Sequence, residues 1–204
     1  MKFLLTIFIL TAALSCKPLD DSKSEICNSE IPEENKIIFD VIRIRAEPRV
    51  NNYWSSMPSF TFCDESRISR GRARSGISYW KRLGYPIENV RYNVSDEECL
   101  RDPMLGEVMI KLVTSDIPIH DNLAVTRVQY RTDTRQIQKA IIYVIGGFSS
   151  KERLIEHEIG HALGWGHYRR HYHIMHPEYN LTGHDSAGVS YISYIRQVES
   201  FTGQ

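Results

Sequence analysis

Short runs of β-branched and aromatic residues, separated by polar stretches that favour turns, recur between residues 58 and 145. Each run predicts a β-strand. The predicted strands cover residues 58–63, 90–94, 107–113, 123–130 and 137–145. An earlier segment, residues 37–45, alternates apolar and charged residues in its second half and also predicts a strand. That strand belongs either to the same domain or to a short pro-segment at residues 37–50.

A longer period runs through residues 66–83, where apolar or small residues recur at helical intervals until Gly84 and Pro86 stop the pattern. The recurring positions are Ile68, Ala73, Ile77, Trp80 and Leu83. We predict a helix packed on the sheet, although Gly71 and Gly76 weaken the pattern. Its arginines are expected on the solvated face rather than in a binding patch. They are Arg67, Arg70, Arg72 and Arg74.

Gly146 and Gly147 end the last predicted strand, and a second helix is predicted after them. Ser149 with Glu152 three residues later forms a capping box, so the helix should begin near Ser150. Its predicted buried positions are Leu154, Ile155, Ile159, Ala162 and Leu163. Together the elements predict an α+β fold, in which a twisted, mixed five-stranded sheet is backed by two helices.

The first residues resemble an export signal. Residues 1–15 contain one lysine and an apolar run that is too short to span a bilayer, which predicts a secretory signal peptide. Cys16 follows small residues, as in a relaxed bacterial lipobox, and its lipidation would anchor the protein to a membrane of the bacterial envelope. The alternative is a plain cleaved signal and a secreted protein. Residues 16–36 would be the lipid attachment site and a flexible tether, and residues 37–204 the folded domain.

Three cysteines remain if Cys16 carries lipid, and an oxidising compartment favours one disulfide among them. We predict a bridge from Cys63 to Cys99, which flank the first predicted helix, with Cys27 left over.

Acidic and basic residues balance, with 25 of each in the chain. No basic footprint marks a nucleic-acid surface, so we expect no nucleic-acid partner. We expect a monomer.

Candidate chemistry is concentrated at residues 157–167, where three histidines share a short segment. On a helix, His157 and His161 lie on one face four residues apart, so both imidazoles can reach one ion. Gly164 can take a positive φ, which lets the helix stop and brings His167 back towards the same ion. Three neutral histidines leave a zinc ion with an open fourth position for water, the pattern of a catalytic site. Glu158 is then placed as a general base.

This segment resembles the metzincin zinc endopeptidases, whose pattern HExxHxxGxxH it meets at every fixed position. Met175 lies at the separation from His167 that the matrixin branch uses for its methionine turn. The resemblance implies that Met175 packs beneath the metal, and that Pro177 and Tyr179 line the specificity pocket. It also implies a small C-terminal subdomain carrying that turn and a final helix.

The resemblance extends in part to the flanking segments. Strand 123–130 would be an antiparallel edge strand beside the cleft, to which an extended protein or peptide substrate could add as one more strand. Residues 181–189 resemble the start of the last matrixin helix, with Asp185 matching the second of two adjacent aspartates. His184 replaces the first aspartate and Tyr168 replaces a usual serine, so activation in the manner of that family is not implied.

One catalytic zinc is the expected metal content. Residues 104–130 contain only His120, whereas the second, structural zinc site of many matrixins needs several histidines. Calcium is supported only by Asp116 and Asp121, which is weak support. The remaining histidines are expected at the surface or beside the ligands rather than on the metal. They are His171, His173, His176 and His184.

The sequence thus predicts a zinc-dependent endopeptidase with Glu158 as general base, and two alternatives stay open. In a gluzincin-type peptidase, a downstream glutamate such as Glu178 or Glu199 would replace the third histidine. In a lipid-anchored, metal-containing binding protein the site would be kept without turnover. The intact Glu158 counts against that alternative, because a purely structural site needs no general base.

Overall fold

The computed structural model describes residues 47–113 and 122–203, and five strands in them form one mixed sheet. The strands are β1 (Ser59–Cys63), β2 (Val90–Val94), β3 (Glu107–Leu112), β4 (Ala124–Tyr130) and β5 (Ile137–Val144). Their order is β2-β1-β3-β5-β4, with every neighbouring pair parallel except β4 and β5. The predicted strands are confirmed to within two residues, and β4 is confirmed as the antiparallel edge strand.

Four helices accompany the sheet, so the predicted α+β class is confirmed. They are α1 (Arg70–Arg82), α2 (Asp96–Cys99), α3 (Leu154–Ala162) and α4 (Tyr191–Thr202). Helices α1 and α3 pack against each other, and both contact the sheet. The close approach requires Gly76, because a Cβ there would lie 2.8 Å from Cγ2 of Ile155. The glycine that weakens the helical pattern therefore lets the two helices meet.

Helix α1 begins later than its apolar pattern suggests. Residues Asp64–Ser66 form a 3-10 turn, and Arg67 then adopts a left-handed conformation with φ of 53°. Ser69 caps the helix, since its side chain accepts a hydrogen bond from the amide of Arg72.

The predicted start of α3 is wrong. Residues 146–150 continue as turns, with the amide of Lys151 donating to the carbonyl of Phe148. Arg153 then takes a left-handed φ of 64°, and the helix begins at Leu154 with no side-chain cap. Glu152 forms an ion pair with Arg153 instead of closing a capping box with Ser149. The five predicted buried positions are all buried, as expected.

An aromatic network joins α4 to the end of α3. Trp165 donates through Nε1 to the Tyr85 hydroxyl at 2.6 Å, and that hydroxyl lies 3.1 Å from the Val189 carbonyl to which it donates. The Tyr194 hydroxyl accepts from the amide of Trp54, whose own Nε1 donates to the carbonyl of Ala162. These buried donors and acceptors are paired, so the network fixes α4 against the end of α3.

The final helix lies slightly beyond the segment that resembles its start. Leu181 ends a short 3-10 helix, and residues 182–189 are irregular, with Asp185 in a bridge to His173 and Gly188 at a φ of +81°. The helix begins at Tyr191, because Ser190 accepts a hydrogen bond from the amide of Ser193 and acts as the cap. The start implied by the resemblance is thus too early.

The Cys63–Cys99 disulfide is confirmed and joins the end of β1 to the end of α2. In the described parts of the chain, no helix is long and apolar enough to cross a membrane. Several predictions concern residues outside them: the signal peptide at 1–15, the lipidated Cys16, the tether to residue 36, Cys27 and the strand at 37–45. The same applies to His120, Asp116 and Asp121.

A buried carboxylate anchors the beginning of β3. Glu107 is 2% exposed. The Arg101 guanidinium donates to both of its oxygens at 2.7 and 2.9 Å, and the Thr61 hydroxyl and the Met104 amide donate as well. Burial alone raises the pKa of a carboxyl group, but these donors outweigh it and lower the pKa of Glu107 to about 2.

The ionised Glu107 should therefore stabilise the fold in a pH-dependent way. Its contribution is complete above the ordinary pKa of 4.5 and is lost as the pH falls towards 2. The difference corresponds to about 3 kcal/mol of unfolding free energy. Urea unfolding at pH 7 and pH 3 should show that the deficit of Glu107→Gln relative to wild type shrinks by more than half. Glu97→Gln, which removes an exposed carboxylate of α2 that forms no ion pair within the described residues, is the control. A deficit independent of pH would contradict this account.

Candidate metal centre

Three imidazole nitrogens converge at the end of α3. Nε2 of His161 lies 3.0 Å from Nε2 of His157 and 3.1 Å from Nε2 of His167. His157 and His161 are one helical turn apart on α3, as their spacing predicts. His157 is buried and His167 is exposed, so the group opens to solvent on one side. In the described residues this is the group of acidic, cysteine or histidine side chains that could hold a metal ion.

The loop that returns His167 depends on Gly164. Its φ is +106°, and a Cβ at this position would overlap the carbonyl oxygen of Asn52. The Gly164 carbonyl accepts from the amide of Asn51 at 2.8 Å, and the Gly166 amide donates to the Arg49 carbonyl at 2.8 Å. The predicted positive φ is confirmed. The partner segment, residues 49–52, was not predicted, and it holds the loop in place.

Backbone carbonyls fix the orientation of the two helical histidines. Nδ1 of His157 lies 2.6 Å from the carbonyl oxygen of Ile174, and Nδ1 of His161 lies 2.8 Å from that of Trp165. A carbonyl oxygen only accepts, so each Nδ1 carries the proton and donates. Each Nε2 therefore presents a lone pair to the centre of the group. Bare lone pairs 3.0 Å apart repel each other, and a cation between them removes that repulsion.

The environment also keeps these imidazoles neutral, as metal ligands must be. Burial lowers the pKa of His157 to about 4 and that of His161 to about 3. Burial lowers the pKa of the more exposed His167 as well. At neutral pH all three can act as donors to one ion.

Glu158 lies beside the histidines in a buried position, 5% exposed. The Thr126 hydroxyl donates to its Oε2 at 2.6 Å. Burial raises the pKa of Glu158 to about 7, while the Thr126 hydrogen bond acts in the opposite direction. A cation held by the histidines would also lower this pKa, because a nearby positive charge favours the carboxylate. The group is thus suited to accept and release a proton near neutral pH.

Thr126 is a site residue that the sequence reasoning missed. It lies on β4, whose inward positions are Ala124, Thr126 and Val128, and α3 packs against this strand. A polar residue between two apolar ones on the inner face of a strand needs a buried partner. That alternation was the available signal, but it does not identify the partner.

The methionine turn lies beneath the site. Met175 is fully buried, and a Cβ on Gly160 would overlap its sulfur, so the thioether packs directly against α3. The preceding carbonyl, that of Ile174, is the one that orients His157. His173 supports the turn, since its Nδ1 accepts from the amide of Met175 at 3.1 Å. Met175 thus packs against the helix that carries the histidines.

A cleft of about 610 Å³ runs over the three histidines. One wall is the edge strand, which contributes Ala124, Val125, Thr126 and Val128. Leu123, just before the strand, and Asn51 and Asn52 form part of the lining. Pro177 and Tyr179 also line it. The Tyr179 hydroxyl donates to the carbonyl of Glu152 at 2.9 Å, which fixes its ring.

The other candidate ligands lie outside the histidine group. Glu178 is exposed at the rim of the cleft, and Glu199 is exposed on α4. His171 and His184 are exposed, while His173 and His176 are buried near the methionine turn. None of these side chains belongs to the group that could hold the ion.

No protein-family model matches the chain, and a search of curated proteins finds no match. The function is therefore inferred from the residues and geometry of the site.

The histidine group should bind one divalent ion per chain. We expect one equivalent of zinc by elemental analysis, and a loss of affinity of more than about 100-fold for His167→Ala, because a direct ligand contributes more than the groups that orient it. Glu178→Gln is the matched control and should keep wild-type affinity. Strong loss in Glu178→Gln with little change in His167→Ala would instead indicate the gluzincin arrangement.

Proposed function

We propose that this protein is a zinc-dependent endopeptidase of the metzincin type, with a matrixin-like catalytic domain. The observation that carries the proposal is the convergence of three neutral histidines and a buried carboxylate in one cleft beside a sheet edge. A metal site alone would fit many roles. The carboxylate and the adjacent strand edge are what favour hydrolysis of an extended chain.

The donor set suits zinc in particular. Zinc is commonly bound by imidazole nitrogens at 2.0–2.1 Å in tetrahedral geometry, which separates neighbouring donors by about 3.3 Å. The observed separations of 3.0 and 3.1 Å between Nε2 atoms are close to that value. Three protein ligands leave a fourth position open, as catalytic zinc sites do.

Each residue then has a distinct role. His157, His161 and His167 would hold the ion, which when bound supplies Lewis acidity towards water and a substrate carbonyl. The Glu158 carboxylate takes a proton from the attacking water and delivers it to the leaving amine. Thr126 donates to Oε2, which leaves Oε1 of Glu158 available for that proton.

The cleft wall suggests how a substrate is bound. Within the described residues, β4 pairs only with β5, so its other side can pair with an extended peptide. Main-chain pairing of this kind binds a peptide largely independently of its side chains. Side-chain preference would then come from pockets along the cleft, and Pro177 and Tyr179 are proposed to shape one of them.

The alternative function is a metal-containing binding protein without turnover. Such a protein needs no proton acceptor at its metal site. Burying the Glu158 carboxyl group costs free energy, which its hydrogen bond with Thr126 offsets in part, and a site that only binds metal gains nothing from that cost. This favours the catalytic proposal over a binding protein, and the next experiment separates them.

Glu158→Ala should retain zinc and fold but lose turnover by at least about 100-fold, because general acid–base catalysis supplies that much or more. The measurement is chelator-sensitive cleavage of a mixed digest of denatured proteins, with zinc quantified in each variant. Glu152→Ala, which removes an exposed carboxylate just before α3, is the matched control. Equal cleavage by wild type and Glu158→Ala would refute the assignment. Bound zinc without cleavage by wild type would favour a binding role or a dedicated substrate.

Thr126→Val should lower kcat by about 10- to 100-fold with little change in KM, since a hydrogen bond to a charged group contributes about 1.5–3 kcal/mol and each 1.4 kcal/mol is about tenfold in rate. The valine keeps the shape of the side chain and removes only the hydroxyl. Thr126→Ser restores a hydroxyl and should recover most of the activity. If valine and serine variants are equally impaired at unchanged zinc content, Thr126 acts through packing and not through Glu158.

A further inference from the structure

A second depression borders the cleft at the third histidine. It has a volume of about 450 Å³ and shares Asn51 and His167 with the cleft. Pro177 and Tyr179 line the cleft but not this depression. An extended chain that crosses the histidine group can therefore continue into the depression on leaving the cleft, away from the pocket of Pro177 and Tyr179.

Arginines dominate the charged lining of the depression. Arg49, Arg169 and Arg170 face a single acidic residue, Glu47. Arg170 is held by Asp185, with Nε 2.9 Å from Oδ2. Arg49 and Arg169 are exposed, and neither forms an ion pair within residues 47–113 and 122–203. Two guanidinium groups are thus available against one carboxylate, in a chain whose charges otherwise balance.

The backbone that carries these arginines is fixed. The carbonyl of Arg49 accepts from the Gly166 amide, and Val50 forms a bridge with Trp165. On the other side, the Gln197 side chain accepts from the Val50 amide at 2.9 Å and donates to the Pro48 carbonyl at 3.0 Å. The amide of Tyr168 donates to the Met175 carbonyl at 2.8 Å. The backbone of Arg49 and Arg169 is therefore held in place near His167.

We propose that this depression is a subsite for an acidic side chain of the substrate. Guanidinium groups match a carboxylate with paired, charge-assisted hydrogen bonds, and a metal ion at the histidines would add to the positive potential. The carboxylate of Glu47 weakens the attraction between the arginines and an acidic side chain but does not cancel it. The inference rests on the proposed function, and it specifies a substrate class: proteins with Glu or Asp a few residues from the scissile bond, on the side that passes His167.

The test compares pairs of peptides that differ only by Glu or Gln at one position. That position is moved stepwise along both sides of the scissile bond, and the acidic preference is expected on one side only. Because exposed ion pairs contribute up to about 1 kcal/mol each, wild type should prefer Glu by about three- to tenfold in kcat/KM. Arg49→Gln/Arg169→Gln should bring the ratio close to one. Arg70→Gln/Arg74→Gln removes two exposed arginines from α1 and should leave the ratio unchanged.

Binding of the same peptides to zinc-loaded Glu158→Ala gives a readout that needs no turnover. The ratio of dissociation constants, measured by fluorescence anisotropy, should favour Glu and should fall as salt rises from about 50 mM to about 500 mM, because exposed charges are screened. Equal binding and equal cleavage of both peptides would overturn the subsite. Preferential binding without cleavage by wild type would retain the subsite and reject the endopeptidase. A preference that survives in Arg49→Gln/Arg169→Gln would place the recognition elsewhere and overturn the inference.

Discussion

The site depends on one backbone contact: the pairing of residues 49–52 with the loop from Gly164 to Gly166. Two amide-to-carbonyl hydrogen bonds of 2.8 Å hold the segments together, and the Asn52 carbonyl occupies the space that a Cβ on residue 164 would need. Helix α3 alone can present only two imidazoles on one face. The contact supplies the third by turning the chain sharply after Ala162. It also forms part of the cleft lining and brings Arg49 next to Arg169.

Burial of polar groups explains why two further elements are needed. His157 is buried against the chain that carries Met175, and the Ile174 carbonyl satisfies its Nδ1–H. Glu158 is buried against β4, and Thr126 satisfies one of its oxygens. If either group lacked a hydrogen-bond partner, its burial would lower the free energy of unfolding. The turn that carries Met175 and the edge strand thus complete the hydrogen bonding of α3, and the same contacts orient the side chains of His157 and Glu158.

Features that depend on local spacing could be predicted from the sequence, and features that depend on distant partners could not. The strands follow from runs of β-branched residues. The shared face of His157 and His161 follows from their helical spacing, and the turn towards His167 was predicted from Gly164, although not the contact with residues 49–52 that holds it. The start of α3 was misplaced because Glu152 turns to Arg153 and Arg153 adopts a left-handed φ, so a locally favourable cap does not form. Thr126 was missed because its partner, Glu158, is 32 residues away on another element. Residues 49–52 were missed for the same reason.

The two hydrogen bonds of the Gln197 side chain affect the order in which the cleft forms during folding. This amide on the last helix holds the backbone of Pro48 and Val50, which are 149 and 147 residues earlier in the chain. Until α4 has been synthesised and folded, the wall beside His167 has no support from Gln197. The cleft can therefore reach its final form only after α4 has joined the fold. Its assembly is completed late, by contacts between segments that lie far apart in the sequence.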